Sequence, residues 1–337
     1  MTGGSAIVGL VCVLGSGILQ GVFLLPMGFA KQWRWEHSWL VFSTFGMLIF
    51  NWFIAWIILP HPFAVYRAVP TRDLVELAVF GLGWGGGAVL FGIGMERLGL
   101  SLGYPIIMGL IAALGAFVPL LVLHPHTLLS VPGAVISAGT AAAVAGIVLC
   151  SRAAARKGSV LGAHRKGLTS GLTIAVAAGV LSSLPNVGMT FGQGIIASAQ
   201  ANGTSPHLAA NAVWAIVFTM GFLVNAAYCI GLILHRRTAH LLWISGSMRD
   251  LALAALMGLL WISSFYSYGI GAAQMGPLGP VIAWPLFIAC AIGVGNLIGF
   301  WRGEWRHAPR SATVLLGSGM IVLFSAVALI SVSGFLR

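Results

Sequence analysis

About ten apolar runs of roughly 20 residues each constrain this chain more than any other feature of its sequence. A run of that length can cross the hydrocarbon core of a bilayer as one helix. Only 7% of the residues are charged and 59% are hydrophobic, whereas an ordinary globular protein is about one quarter charged. The sequence therefore predicts an all-α polytopic membrane protein and excludes an ordinary soluble fold.

The apolar runs divide into two sets of five around one basic loop, residues 151–168. Because five is an odd number, the second set must enter the membrane in the opposite orientation. The predicted architecture is two inverted five-helix repeats, residues 1–150 and 169–337, a common plan for secondary transporters. The ten predicted transmembrane helices cover residues 5–29, 39–60, 74–98, 100–123, 130–150, 169–194, 207–235, 250–272, 277–300 and 312–335.

A short motif occurs once in each half and supports the repeat. Residues 91–99 read FGIGMERLG and residues 268–276 read YGIGAAQMG, and Trp84 and Trp261 each precede their copy by seven residues. Glycines at helical neighbour spacing let helix backbones approach closely inside a membrane. We expect the two copies to pack near a pseudo-twofold axis between the halves.

The distribution of Lys and Arg predicts the orientation. Of the 17 basic residues, all except Arg67, Arg72 and Arg337 fall on loops of one side. The positive-inside rule places that side, with the basic loop 151–168, in the cytoplasm. Both termini are then periplasmic and the protein lies in the bacterial inner membrane. This pattern accounts for the net charge of +11 without a nucleic-acid partner.

The sequence gives no sign of catalytic or cofactor chemistry. His124 and His126 lie in a loop without matching carboxylates, and the four cysteines are scattered through apolar segments without metal or disulfide spacing. We therefore predict no metal, no cofactor and no enzyme activity. An integral membrane enzyme acting on lipids is the remote alternative, and it would need clustered acids or an activated nucleophile.

Uncharged polar and aromatic residues inside the spans form the candidate substrate site. Polar side chains at membrane depth are costly unless they pair between helices or line a wet cavity, so each could also serve only to join helices. Together they offer amides for hydroxyl groups and flat rings for a C–H face, which suits a small neutral sugar better than a cation. The candidates are Gln20, Trp84, Tyr104, Asn186, Gln193, Asn211, Tyr268 and Trp284.

Few acidic residues are available to carry a proton. Glu76 lies a turn into the third predicted span and Glu96 lies at its other end beside Arg97. Both are candidates for proton coupling. Glu76 could instead be an exposed acid in a first helical turn, and Arg97 could simply neutralise Glu96. A tryptophan cluster that starts the second span and a pair that follows the ninth fit an interfacial aromatic belt: Trp33, Trp35, Trp39, Trp301 and Trp305.

Several blocks in order along the chain suggest a family. They include LPM at 25–27, WRWE at 33–36, GWG at 83–85, LPN at 184–186, NAVW at 211–214, GPLG at 276–279 and WPLF at 284–287. In these blocks the chain resembles the L-rhamnose–proton symporter family of the drug/metabolite transporter superfamily, from about residue 10 to 310.

The resemblance implies ten helices in inverted repeats and uptake of a 6-deoxyhexose, such as L-rhamnose or L-fucose, with a proton. The chain departs from the family at Gly28, where relatives usually carry a lysine. The alternative is a drug or metabolite exporter of the same superfamily. Small exporters of that kind rely on a glutamate in their first helix, where this chain has Gln20 and no acid. The oligomeric state is not predicted.

Overall fold

The computed structural model describes residues 3–158, 168–303, 305–306 and 308–333, and this part of the chain contains helices, turns and loops but no strand. Nine of its helical segments are long and apolar enough to cross a membrane. In chain order, spans 1 to 9 are Ala6–Phe29, Trp35–Ile58, Thr71–Gly94, Ile106–Leu123, Val131–Cys150, Thr169–Phe191, Pro206–His235, Ser247–Gln274 and Gly279–Trp301. A shorter apolar helix, Arg310–Ala326, occupies the tenth predicted position and is called span 10 below. The all-α polytopic fold is confirmed, whereas the count of ten full spans stays a prediction.

The predicted spans agree with the structure to within a few residues at most boundaries. Span 2 differs in a way that matters below, because it begins at Trp35 rather than at residue 39. The basic loop also differs, since its first part continues the helix of span 5 as far as Gly158; residues 159–167 lie outside the described residues. The α-helices are Gly3–Val22, Trp35–Ser43, Asn51–Ile58, Pro62–Arg67, Thr71–Leu123, Val131–Gly158, Leu168–Ser182, Leu184–Phe191, Gln193–Ala201, Pro206–Ala209, Ala212–His235, Ser247–Gln274, Gly279–Trp301 and Arg310–Ser333.

Spans 3 and 4 share one continuous stretch of helical backbone, Thr71–Leu123. A straight helix would separate Gly94 from Ile107 by about 20 Å. Instead, a Cβ added at Gly94 would lie 3.5 Å from Cδ1 of Ile107. The helical backbone therefore bends back between these two residues.

Two spans contain local breaks. Span 2 holds a π-helical turn, Thr44–Phe50, between two α-helical pieces. Span 6 stops at Ser182 and resumes at Leu184 with Pro185 in the first turn of the new helix, as expected from the missing N–H of proline. Single π-turns often accompany functional sites because they redirect side chains.

Close glycine contacts join the two halves in matching pairs. A Cβ at Gly46 of span 2 would lie 2.9 Å from Cα of Gly258 in span 8. A Cβ at Gly221 of span 7 would lie 3.4 Å from the carbonyl oxygen of Gly81 in span 3. In a repeat of five helices, span 2 corresponds to span 7 and span 3 corresponds to span 8. The contact between spans 2 and 8 therefore has its counterpart in the contact between spans 7 and 3, as expected for an inverted repeat.

The repeated motif shows the same relation. A Cβ at Gly271 would lie 2.7 Å from the carbonyl oxygen of Gly9 in span 1, and one at Gly94 would lie 3.6 Å from Cα of Ala175 in span 6. Trp84 and Trp261, the tryptophans that precede the two copies, stack on each other with ring centroids 5.6 Å apart and an interplanar angle of 18°. The tryptophans that precede the two copies therefore meet between the halves, whereas the described glycines of the copies pack against spans 1 and 6 rather than against each other.

Candidate functional site

A central cavity of about 180 Å³ lies where the two halves meet. Its wall comes from spans 1, 2, 3, 4, 6, 8 and 9, and no charged residue is among the described residues that line it. In spans 1 to 4 the lining residues belong to the halves nearest the basic loops. In spans 6 and 9 they belong to the opposite halves, so the cavity lies at the middle of the bundle.

Aromatic rings form most of this wall. The stacked pair Trp84 and Trp261 is flanked by Phe42, whose ring meets Trp261 edge-on at 5.7 Å and 80°. Gly221 allows this arrangement, because a Cβ there would lie 2.5 Å from the indole ring of Trp84. The cavity thus presents flat apolar faces of the kind on which a sugar ring can stack.

Two polar anchors hold side chains of the wall in place. The amide oxygen of Gln20 accepts a hydrogen bond from Ser264 Oγ at 2.8 Å. The indole N–H of Trp284 donates to the carbonyl oxygen of Ile111 at 2.8 Å. Gly115 leaves the space for that indole, since a Cβ at Gly115 would overlap it.

A buried polar layer lies beside the cavity. Asn186 donates to the carbonyl oxygens of Gly115 at 2.6 Å and of Pro280 at 3.1 Å. The hydroxyl group of Tyr268 donates to the amide oxygen of Asn186. Both side chains are fully buried. We call Asn186, Tyr268 and these two carbonyl groups the polar layer.

A second, outer cavity of about 400 Å³ lies at the opposite end of the bundle. It is lined by ends of spans and by connecting segments, including His124, Thr190, Gln193 and Gln200. The amide N–H of Gln193 donates to the carbonyl oxygen of Thr190 at 3.1 Å. Pro280 also lines this cavity, whereas Pro185, which precedes Asn186, lines the central one. The polar layer thus lies between the two cavities.

The structure distributes the predicted substrate residues among these places. Gln20, Trp84 and Trp284 line the central cavity, and Gln193 lines the outer one. Asn186 and Tyr268 form the polar layer. Asn211 is buried against Gly269 of span 8 and accepts a hydrogen bond from Trp214 at 2.9 Å. Tyr104 lies outside the described side chains.

The proton-coupling candidates are less well placed. Glu76 is half-buried and is not among the residues that line either cavity. The side chain of Glu96 lies outside those that the structure describes. Arg97, its sequence neighbour, donates to Ser170 at 3.2 Å.

The tryptophan belt is only partly as expected. Trp35 and Trp301 are exposed, as an interfacial position requires. Trp39 lines the central cavity and donates to the amide oxygen of Asn225 at 3.0 Å. Trp33 is buried, and its indole N–H donates to the carbonyl oxygen of Leu241 at 3.0 Å. Trp39 belongs to the helix packing because span 2 begins earlier than the hydropathy pattern indicates, and Trp33 lies in the loop before that span, where its backbone N–H donates to Asp250.

Two acidic residues that were not among the candidates are buried at the basic end. One carboxylate oxygen of Asp250 accepts backbone N–H groups from Gln32 at 2.7 Å and from Trp33 at 2.9 Å, and the other accepts the N–H of Lys31 at 3.1 Å. Glu36 pairs through Oε2 with Arg236 at 3.1 Å. Glu36 was missed because span 2 was predicted to begin at residue 39, whereas it begins at Trp35 in the structure.

Gly28, the position at which a departure from the family is expected from the sequence, also lies near this end. A Cβ at Gly28 would lie 3.4 Å from a guanidinium nitrogen of Arg302, and the same guanidinium group lies 5.6 Å from the centroid of the Phe29 ring. A cation from another segment therefore lies close to Gly28.

Comparison with known proteins gives a consistent result. The sequence profile of the L-rhamnose-proton symport protein family matches residues 3–335. The chain is 27% identical to an L-rhamnose-proton symporter of Citrobacter koseri over 313 residues, which covers 90% of this chain and 91% of that protein. It is 28% identical to the Klebsiella pneumoniae symporter of the same name over 318 residues, with coverage of 90% and 91%. The Escherichia coli symporter is 26% identical over 319 residues, with coverage of 92% and 93%.

Proposed function

The chain belongs to the L-rhamnose-proton symport protein family, and from this premise we propose that it imports a neutral 6-deoxyhexose together with a proton. The curated relatives are named as symporters, so the protein is a transporter rather than an enzyme. L-rhamnose is the first candidate substrate because those relatives are named for it, and L-fucose is the alternative.

The central cavity is the observation that carries this proposal. Its described lining is aromatic and uncharged, which suits a ligand with an apolar C–H face and no net charge. Its volume of about 180 Å³ is below the roughly 300–1,000 Å³ of typical drug-sized sites, so it fits one small molecule. An exporter of lipophilic cations would need an acid in the wall, and the first-helix position holds Gln20.

The mechanism we propose is alternating access between two inverted halves, residues 1–150 and 169–337. The matched glycine contacts support such a repeat, because they let the halves move as bodies about a shared axis. The polar layer separates the central cavity from the outer cavity. We propose that this layer is the closed outer gate of an inward-facing conformation, a proposal supported by the lining of spans 1 to 4, which lies in the halves nearest the basic loops.

We further propose the bacterial inner membrane as the location, with the basic loops in the cytoplasm and both termini in the periplasm. In this orientation the outer cavity receives sugar from the periplasm, where Gln193 and Gln200 offer amides to its hydroxyl groups. Opening of the polar layer then frees Asn186 and Tyr268 to bind the sugar. Glu76 and Glu96 remain candidates for the coupled proton.

Proteoliposomes with an imposed pH gradient test this function. We expect L-rhamnose to accumulate inside when the outside is more acidic, and L-fucose to compete if the site accepts both sugars. L-mannose is the matched control sugar, because it differs from L-rhamnose only by one hydroxyl group on C6. That hydroxyl group would place a polar group against the apolar wall of the cavity. The proposal fails if no deoxyhexose in the panel accumulates or stabilises the purified protein against heat.

A further inference from the structure

The whole chain has only six acidic residues, so few carboxylates could bind a proton that moves with the sugar. Four of them have described side chains: Glu36, Asp73, Glu76 and Asp250. Asp73 and Glu76 are half-buried near the start of span 3, whereas Glu36 and Asp250 are each about 1% exposed. The two buried acids therefore have the shielding from water that an occluded proton site needs.

Asp250 is occupied by structural hydrogen bonds, while Glu36 is not. Asp250 accepts three backbone N–H groups from residues 31–33, so it fixes the loop between spans 1 and 2. Glu36 uses Oε2 for Arg236, and its Oε1 is buried without a hydrogen-bond partner among the described residues. Such an oxygen is costly unless it carries a proton or gains a partner in another state.

Glu36 has polar neighbours toward the basic end of the bundle and a link to the central cavity toward the membrane centre. Toward the basic end, the side chain of Arg236 is 46% exposed, so it connects the buried carboxylate with solvent. The adjacent His37 bonds to the carbonyl oxygen of Thr238 at 2.9 Å, and its Nδ1 is buried and unpaired within the described structure. Cys229 in span 7 also lies within electrostatic range of Glu36. Arg236, His37 and Cys229 are the titratable or charged groups that act on this carboxylate.

Toward the membrane centre, Glu36 is linked to the central cavity. Trp39 follows it by one helical turn and lines that cavity. The indole N–H of Trp39 donates to Asn225 of span 7. Arg236 directly follows this span. A sugar against Trp39 would therefore change the contact between spans 2 and 7, on which the Glu36–Arg236 pair depends.

We propose that Glu36 carries the proton that is cotransported with the sugar, a role that rests on the proposed symport function. In the loaded transporter Oε1 holds the proton, and the neutral acid does not need Arg236. In the inward-facing state the O–H bond of Glu36 breaks, its electron pair stays on the carboxylate, and the proton passes to cytoplasmic water. Arg236 then pairs with the carboxylate and neutralises its charge, as in the structure. Arg236 is thus a positioning residue.

The test is Glu36→Gln in proteoliposomes loaded with a pH-sensitive dye. A pH gradient of one unit supports about tenfold accumulation per cotransported proton. We expect the wild-type protein to approach this limit and to acidify the lumen as sugar enters. Glu36→Gln is expected to reach only equal concentrations and to move no protons, while it still exchanges internal for external labelled sugar at a rate close to the wild type.

Two further variants separate proton carriage from a structural ion pair. Glu36→Asp keeps an ionisable group and is expected to restore accumulation at a lower rate. Arg236→Gln removes the partner but not the proton site, so it is expected to keep accumulation with slower turnover. If the pair were only structural, Arg236→Gln and Glu36→Gln would have the same defect.

Several results would overturn the proposal. Uphill accumulation of sugar by Glu36→Gln would overturn it. So would a Glu36→Gln protein that still binds sugar but has lost both exchange and accumulation. Uncoupling by Glu76→Gln, tested in parallel, with normal coupling in Glu36→Gln would assign the proton to Glu76. A wild-type protein that exchanges sugar but never accumulates it would overturn the symport function itself, which is distinguishable from failure of Glu36 alone.

Discussion

The two cavities of this protein differ in both size and construction. The outer cavity, of about 400 Å³, is lined by helix ends and connecting segments with amide and imidazole groups. The central cavity, of about 180 Å³, is lined by the transmembrane spans themselves, mostly through aromatic rings that pack against one another. The larger cavity is suited to collect a hydrated sugar, and the smaller one is suited to select it. Selectivity should therefore depend on rigid rings rather than on the number of polar groups.

The strongest test of this comparison is Trp84→Leu. Loss of the indole face removes the stacking surface of the central cavity, and we expect kcat/KM for sugar uptake to fall at least about 30-fold, equivalent to roughly 2 kcal/mol. Initial uptake rates in proteoliposomes measure it. Trp243→Leu is the matched control, because Trp243 is 86% exposed. An equal loss in both variants would remove the special role of the central cavity.

The polar layer between the cavities gives the next largest effect. Asn186→Ala leaves the hydroxyl group of Tyr268 and the carbonyl oxygens of Gly115 and Pro280 without their partner. Each unpaired buried group costs about 1–3 kcal/mol, so the basal melting temperature should fall. We also expect sugar-dependent thermal stabilisation to disappear. Tyr268→Phe removes only the hydroxyl group and should lie between this variant and the wild type. Unchanged stabilisation by sugar would exclude Asn186 from the site.

A smaller effect should follow from Gly115→Ala. The added methyl group overlaps the indole ring of Trp284, which must then give up its hydrogen bond to Ile111. We expect uptake to fall about fivefold, which corresponds to about 1 kcal/mol, the value of one hydrogen bond. Gly231→Ala is the control, since a Cβ at Gly231 meets no atom within 4 Å. Normal uptake by Gly115→Ala would show that the position of Trp284 is not important for selection.

The smallest effect is expected at the outer cavity. Gln193→Ala removes one amide from a wide, hydrated space, so KM should rise about two- to threefold, or roughly 0.5 kcal/mol. The maximal rate should be unchanged, because a contact made only on arrival of the sugar affects binding and not turnover. Concentration series of uptake measure both parameters. A lower kcat with an unchanged KM would contradict the division between collecting and selecting cavities.

The fold and part of the site could be predicted from the sequence because they depend on composition and repetition. Hydropathy predicts the spans, and the repeated motif indicated an internal repeat, although the stacking of Trp84 on Trp261 was not predicted from it. The sequence alone could not distinguish Gln20, which lines the central cavity, from Asn211, which accepts a hydrogen bond from Trp214. Both are amides at membrane depth, and only the direction of each side chain distinguishes a ligand site from a helix contact.

The buried acids show a second limit of sequence reasoning. The polar WRWE block has low hydropathy, so the second span was predicted to begin at residue 39, and Glu36 fell in a loop. In the structure, pairing with Arg236 and packing against span 7 keep this segment helical and buried. Neither partner is close in sequence, because Arg236 is 200 residues away from Glu36. Interactions over such distances leave no local pattern that could be read from one chain.

The carboxylate of Asp250 has a consequence for the biogenesis of the protein. The backbone N–H groups that it accepts belong to residues separated from it by 217 to 219 positions. During translation, the first loop therefore has to wait for its acceptor until the ribosome has reached the start of span 8. A nascent chain that stops earlier, or a first half expressed as a separate polypeptide, lacks this acceptor. The hydrogen bonds of Asp250 thus make the final structure of the first loop depend on the synthesis of span 8.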